Sequence, residues 1–134
     1  MPIRSTTISF TVEDVPASAA FFVEHLGYVP QMAADGFASL THPDDAVDVT
    51  FLRRGIDVLP ERHRDRTASG TILALVVDDL DAEHARLRAE GVPITLAVQQ
   101  EEWGERLFQV EDPNGVVIEY VQWTEGAGPS SWNA

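Results

Sequence analysis

Ile8-Ser9-Phe10-Thr11-Val12-Glu13-Asp14 and Leu73-Ala74-Leu75-Val76-Val77-Asp78-Asp79 decide the fold, because the second stretch repeats the first. Each is a strand-like run that ends in an acidic turn. Asp14 and Asp79 stand 65 residues apart. After each comes an amphipathic helix closed by glycine, Pro16 to Leu26 before Gly27 and Asp81 to Glu90 before Gly91. Asp14 suits the helix cap, and Pro16 suits the first turn. Three further strand-like stretches follow each helix, near Tyr28–Ala33, Phe37–Thr41 and Ala46–Arg53, then near Ile94–Gln99, Glu105–Glu111 and Val116–Trp123. Asp35-Gly36 and Asp112-Pro113-Asn114-Gly115 punctuate them as hairpin turns.

The chain therefore reads βαβββ twice, with Gly55–Ser69 as connector. The period is too long for a solenoid, so it marks a tandem duplication. The fold class is α+β: two βαβββ modules, residues 6–54 and 70–123, forming a curved mixed sheet around a cleft within one domain. Residues 124–134 read as a mobile tail, in which Trp132 is either incidental or a lid over a groove. Strand parity sends Ile8, Phe10 and Val12 toward the helices and leaves Thr7, Ser9 and Thr11 on the other face. By the repeat, Leu73, Leu75 and Val77 face the helices, and Ile72, Ala74 and Val76 face away.

Composition narrows the function. The 134 residues carry 22 acids against nine arginines and no lysine, a formal charge of −13. Such a surface repels phosphate backbones, which argues against nucleic acid and anionic membranes and favours cationic small molecules. No apolar run is long enough for a membrane span, no secretory signal is visible, and there is no cysteine. Together these point to a cytoplasmic protein. The four histidines, His25, His42, His63 and His84, fall on helices, a turn and the connector, where exposed or capping roles are expected.

Asp14-Val15-Pro16-Ala17-Ser18, Phe21-Phe22 through Leu26-Gly27-Tyr28, Trp103-Gly104, Asp112-Pro113-Asn114-Gly115 and Ile118-Glu119-Tyr120 occur in an order that resembles the glyoxalase / bleomycin-resistance / dioxygenase (vicinal oxygen chelate) superfamily. The resemblance covers residues 5–123. It implies two readings. Enzymes of the superfamily, such as lyases and dioxygenases, hold a divalent metal with His, Glu or Gln, the first ligand seven residues before the acidic turn. Here that position is Thr7, and its repeat is Ile72. Only Glu119 stands at the last ligand position, with Asp48 or Thr50 as its counterpart, so neither metal nor cofactor is expected.

The second branch lacks the metal and sequesters drugs in grooves of a homodimer, between aromatic walls. Trp103 matches its stacking tryptophan, Phe37 an aromatic groove residue, and Met32 the place of a second phenylalanine. Glu119, Thr7 and Ser9 would add polar contacts. Ala74 and Val76 stand where bleomycin binders carry tryptophan, which points to another planar ligand. The resemblance thus implies a metal-independent, antibiotic-sequestering binder without catalytic residues, a homodimer for a small planar cation. The alternative is a metal-dependent lyase or oxidoreductase of the same superfamily.

Overall fold

The computed structural model describes residues 1–129. Its elements run β1 (Thr7–Val12), α1 (Val15–Leu26), β2 (Val29–Ala34), β3 (Phe37–Thr41), β4 (Asp48–Arg53), β5 (Ile72–Val76), α2 (Leu80–Ala89), β6 (Ile94–Gln100), β7 (Glu105–Glu111) and β8 (Val117–Trp123), with a short 3-10 turn at Glu61–His63. They form two four-stranded mixed sheets, ordered β1-β4-β3-β2 and β5-β8-β7-β6. The first strand of each sheet pairs parallel with the fourth, and the others pair antiparallel. The duplicated βαβββ reading is correct, and each boundary falls within about two residues of expectation. Trp132 lies outside the described residues.

Two compact units result, and their division is not a single cut in the chain. Unit 1 holds residues 1–70 together with Asp112–Val116, and unit 2 holds the remainder. The helix ends follow from the sequence. The Asp14 carboxylate accepts the Ala17 N–H at 3.1 Å, and Asp79 does the same for Ala82 at 3.0 Å. Gln122 Oε1 accepts the Leu80 N–H as well, so α2 begins on two acceptors. At the end of α1 Gly27 takes φ 77°, and a Cβ there would stand 3.1 Å from His42 Nε2. His42 is itself a cap: Nε2 donates to the Leu26 carbonyl and Nδ1 accepts the Asp44 N–H, which fixes the tautomer.

Apolar burial follows strand parity. Phe10 and Val12 are buried while Thr7 and Ser9 are exposed; Leu73 is buried while Ile72 and Ala74 are exposed. In unit 1 the Phe22 ring meets Phe51 at 4.9 Å and Tyr28 at 5.4 Å between centroids. In unit 2 Phe108 stacks on Tyr120 at 5.1 Å. These contacts add edge-to-face and stacking attraction to the area removed from water. Trp123 is half-buried, because it ends β8 where the sheet meets the following turn.

Asp112 is the buried acid of unit 1, 4% exposed. Its carboxylate accepts the N–H groups of Asn114 and Val116, both at 2.9 Å, and the Ser18 hydroxyl. Asn114 spans the turn and the helix start: its amide donates to the Asp14 carbonyl and to Ser18 Oγ, and its carbonyl accepts the Asp14 N–H. Removing the carboxylate strands three donors, those of Ser18 and Val116 buried and that of Asn114 part-buried. Asp112→Ala should therefore lose about 3 kcal/mol in denaturant unfolding, and Asp112→Asn, which keeps one acceptor for the two backbone donors, should lose less.

Both tyrosines are buried, and burial is the main cause that pushes each hydroxyl up to about 12. The Asp48 charge adds to this at Tyr28, whose hydroxyl donates to the Val47 carbonyl at 3.1 Å. At Tyr120 the Arg86 guanidinium opposes the rise. The unfolded chain ionises near pH 10, so between pH 10 and 12 the folded state binds more protons than the unfolded one. This stabilisation is complete below pH 10 and is lost as pH rises through 12. Stability should fall across that window, less steeply in Tyr28→Phe and Tyr120→Phe, and the tyrosinate absorbance of the folded protein should appear about two pH units late.

Candidate functional site

In unit 1 the face of the sheet turned away from α1 is built from cross-strand rows. Ser9, Thr50, Ser39 and Met32 are successive partners across β1, β4, β3 and β2, and Thr11, Leu52, Phe37 and Ala34 form the next row. Thr7 pairs with Asp48 at the start of β1. Thr7, Ser9 and Phe37 therefore share one face, with Phe37 about 12 Å from Ser9 by strand spacing and rise. Phe37 is half-buried and borders a recess of about 810 Å³ that is also lined by Val15, Pro16 and Ala19 of α1, with Glu13, Asp35 and Arg53 among its charged residues. Arg53 grips Asp35 at 2.9 Å, which holds that carboxyl below its ordinary range.

Met32 follows a different course. The β2–β3 register slips between Pro30 and Met32, so Met32 leans over the sheet edge into an apolar recess with Ala19, Ala20 and Val23 of α1. It is 63% exposed and lines a different recess from the one beside Phe37. A bulge on an edge strand redirects a side chain in this way, and no periodicity in Val29–Ala34 signals it.

In unit 2 Trp103 sits on the β6–β7 turn, 61% exposed. Its indole N–H donates to Glu105 Oε1 at 3.3 Å. Glu105 pairs with Trp123, and Gln109 pairs with Glu119. Glu105 and Glu119 thus lie on the same sheet face, roughly 13 Å apart along the strands. The Glu119 carboxylate accepts the Gln109 amide at 2.9 Å. Arg106, a candidate partner for Glu105 from adjacency alone, pairs instead with Asp81 at 3.1 Å. Neighbours in a strand point to opposite faces, so Arg106 turns toward the helix side.

The turn bearing Trp103 is anchored by residues that sequence reading assigned to the tail. Thr124 donates both its N–H and its hydroxyl to the Gly104 carbonyl, at 2.8 and 3.0 Å. Gly104 has φ 93°, and a Cβ there would lie 2.5 Å from Ala127 Cβ and 2.6 Å from Thr124 Oγ1. A side chain has neither the backbone freedom nor the space at this position. The Trp-Gly pair is the available sequence signal, while Thr124 carries none.

The donor set does not fit the divalent metal of the superfamily's enzymes. Ile72 presents an alkyl group, 53% exposed, and Thr7 a neutral hydroxyl. Glu119 is a lone carboxylate already engaged by an amide. Among the described residues no three His, Asp or Glu side chains group so as to hold an ion.

Residues 4–120 match the model of the Glyoxalase/Bleomycin resistance protein/Dioxygenase superfamily, and the chain belongs to it. No curated relative matches. A glyoxalase/bleomycin resistance protein/dioxygenase from Nocardioides superposes with a TM-score of 0.77 at 24% identity, covering 96% of this chain and 89% of that one. A superfamily member from Sphaerobacter thermophilus gives 0.70 at 21% identity, over 90% and 98%. A lactoylglutathione lyase from Agrobacterium tumefaciens gives 0.70 at 16%, over 90% and 94%. These likenesses carry the fold, which hosts unrelated chemistries. No helix is long and apolar enough to cross a membrane among the described residues.

The anchoring of Trp103 is testable. Gly104→Ala should destabilise the protein by about 2 kcal/mol in chemical denaturation, since it combines a forbidden φ with a clash. Its tryptophan emission should shift, because the Trp103 turn must move. Thr124→Val, which removes the hydroxyl bond and leaves the N–H bond, should cost about 1 kcal/mol.

Proposed function

We propose that this protein is a metal-independent binder that sequesters a small planar cation, in the manner of the bleomycin-resistance branch. The observation that carries the reading is Trp103, a large aromatic side chain held out to solvent on an anchored turn beside carboxylates. Exposure of an indole to this degree sacrifices burial, and it supplies a surface on which a flat ligand stacks. Phe37 offers a second aromatic wall within unit 1, with Thr7 and Ser9 as polar contacts on the same face. Glu119 supplies a carboxylate in unit 2, and Met32 a polarizable apolar contact at the edge of unit 1. The donor set at Thr7 and Ile72 favours binding without a metal over the superfamily's metal-dependent chemistry.

The net charge of −13 favours cations over anions of the same shape. Affinity for a planar aromatic cation should fall as salt rises, because counter-ions screen distant carboxylates beyond about 8–10 Å. In a fluorescence titration Trp103→Ala should weaken binding about tenfold, the equivalent of about 1.4 kcal/mol. Sedimentation should find a homodimer, the assembly in which this branch forms its grooves. Equal affinity for isosteric cations and anions at low salt would remove the electrostatic argument. A stoichiometric transition metal in protein purified without a tag would replace this reading with a metal-dependent enzyme.

A further inference from the structure

Unit 2 contains a recess that the Trp103 and Glu119 reading does not use. It lies between the last turns of α2 and the edge strand β6, has a volume of about 680 Å³, and is lined by His84, Arg88, Val92, Ile94, Ala97 and Val98 among others. That volume is within the range of small-molecule sites. Its opening has a local cause. The β6–β7 register breaks twice, between Ile94 and Leu96 and between Leu96 and Gln99, so Ala97 and Val98 have no partner in the ladder. Val98 remains 37% exposed as a result.

The charge of this recess is opposite to that of the protein as a whole. Residues 79–90 contain four carboxylates, and each is engaged elsewhere. Asp79 caps Ala82, Asp81 pairs with Arg106, and Glu83 and Glu90 both pair with Arg86, at 2.8 and 3.0 Å. Arg88 makes no ion pair among the described residues and, one helical turn beyond His84, lines the same recess. The His84 ring is held edge-on against Phe108 at 5.0 Å. It can donate a ring N–H even when neutral. The last carbonyls of α2 are already taken, since the Glu90, Gly91 and Val92 N–H groups donate to Arg86, Arg88 and Leu87. They remain the negative end of the helix dipole, about half a charge, which the full positive charge of Arg88 outweighs locally. Distant acids are screened at ordinary ionic strength, which leaves the local pair to decide.

We propose that the α2–β6 recess is a second small-molecule site, one that takes an amphipathic organic monoanion. The anionic head group would lie on Arg88 and His84, and the apolar body would lie on Ile94, Ala97 and Val98. The site is independent of the Trp103 surface and has the opposite charge preference.

The test uses the full chain, isotope-labelled, titrated with 1-naphthoate and separately with 1-naphthylmethylammonium. Naphthoate should shift the resonances of His84, Arg88, Ala97 and Val98 first. Arg88→Gln and Val98→Asp should each weaken it about five- to tenfold, and both positions are at the surface, so neither substitution should unfold the protein. Trp103→Ala should leave naphthoate binding unchanged, which separates this site from the cation surface. Wild-type affinity in Arg88→Gln, equal affinity for the ammonium analogue, or first shifts elsewhere on the molecule would each overturn the proposal.

Discussion

A buried carboxylate with three donors sets the geometry from which unit 1 is assembled. Asp112 closes its own turn through the Asn114 and Val116 N–H groups and receives the Ser18 hydroxyl from α1. Asn114 then bonds the backbone of Asp14 in both directions, at the residue that caps the same helix. The helix start, its cap and a turn about a hundred residues later thus share one hydrogen-bonded set. A polar set of this kind tolerates little displacement, because each donor left unpaired in a buried site costs more than the bond itself contributes. The aromatic packing of Phe22 on Phe51 and Tyr28 supplies bulk stabilisation, whereas the Asp112 set fixes which residues meet.

The two sheets place their polar and aromatic groups by the same rule of alternation, yet they have diverged in chemistry. The exposed face of β1 carries Thr7 and Ser9, while its repeat in β5 carries Ile72 and Ala74. A duplicated fold thereby presents hydroxyls on one copy and alkyl groups on the other, with Glu119 held by Gln109. The charge distribution is uneven in a similar way. Arg86 absorbs Glu83 and Glu90 and Arg106 takes Asp81, so a strongly acidic chain still presents a small basic recess at Arg88.

Much of this architecture was legible in the residues themselves. Alternation in 8–14 and 73–79, the aspartate caps, the closing glycines and the Asp35-Gly36 and Asp112–Gly115 turns are local signals that act over a few residues. They located all eight strands and both helices, and parity assigned Thr7, Ser9 and Thr11 to one face. Trp103 was legible as a candidate site residue through the superfamily resemblance, which the Trp103-Gly104 pair helps to carry.

What only the tertiary structure decided depends on bonds between residues far apart in the chain. Asp112–Val116 belongs with unit 1 because Ser18 and Asp14 supply its partners, and no pattern within the turn announces them. Thr124 anchors the Trp103 turn across 20 residues, from a stretch whose glycines and polar residues had suggested only a tail. Met32, beside a register slip in β2, lines a different recess from the one beside Phe37, and Arg106 chooses Asp81 over its neighbour because strand parity turns it to the other face. Local sequence fixes backbone conformation, since propensity and capping act within one turn. Partner choice is fixed by which surfaces the whole chain brings within about 3 Å, and that distance is set only once the sheets have formed.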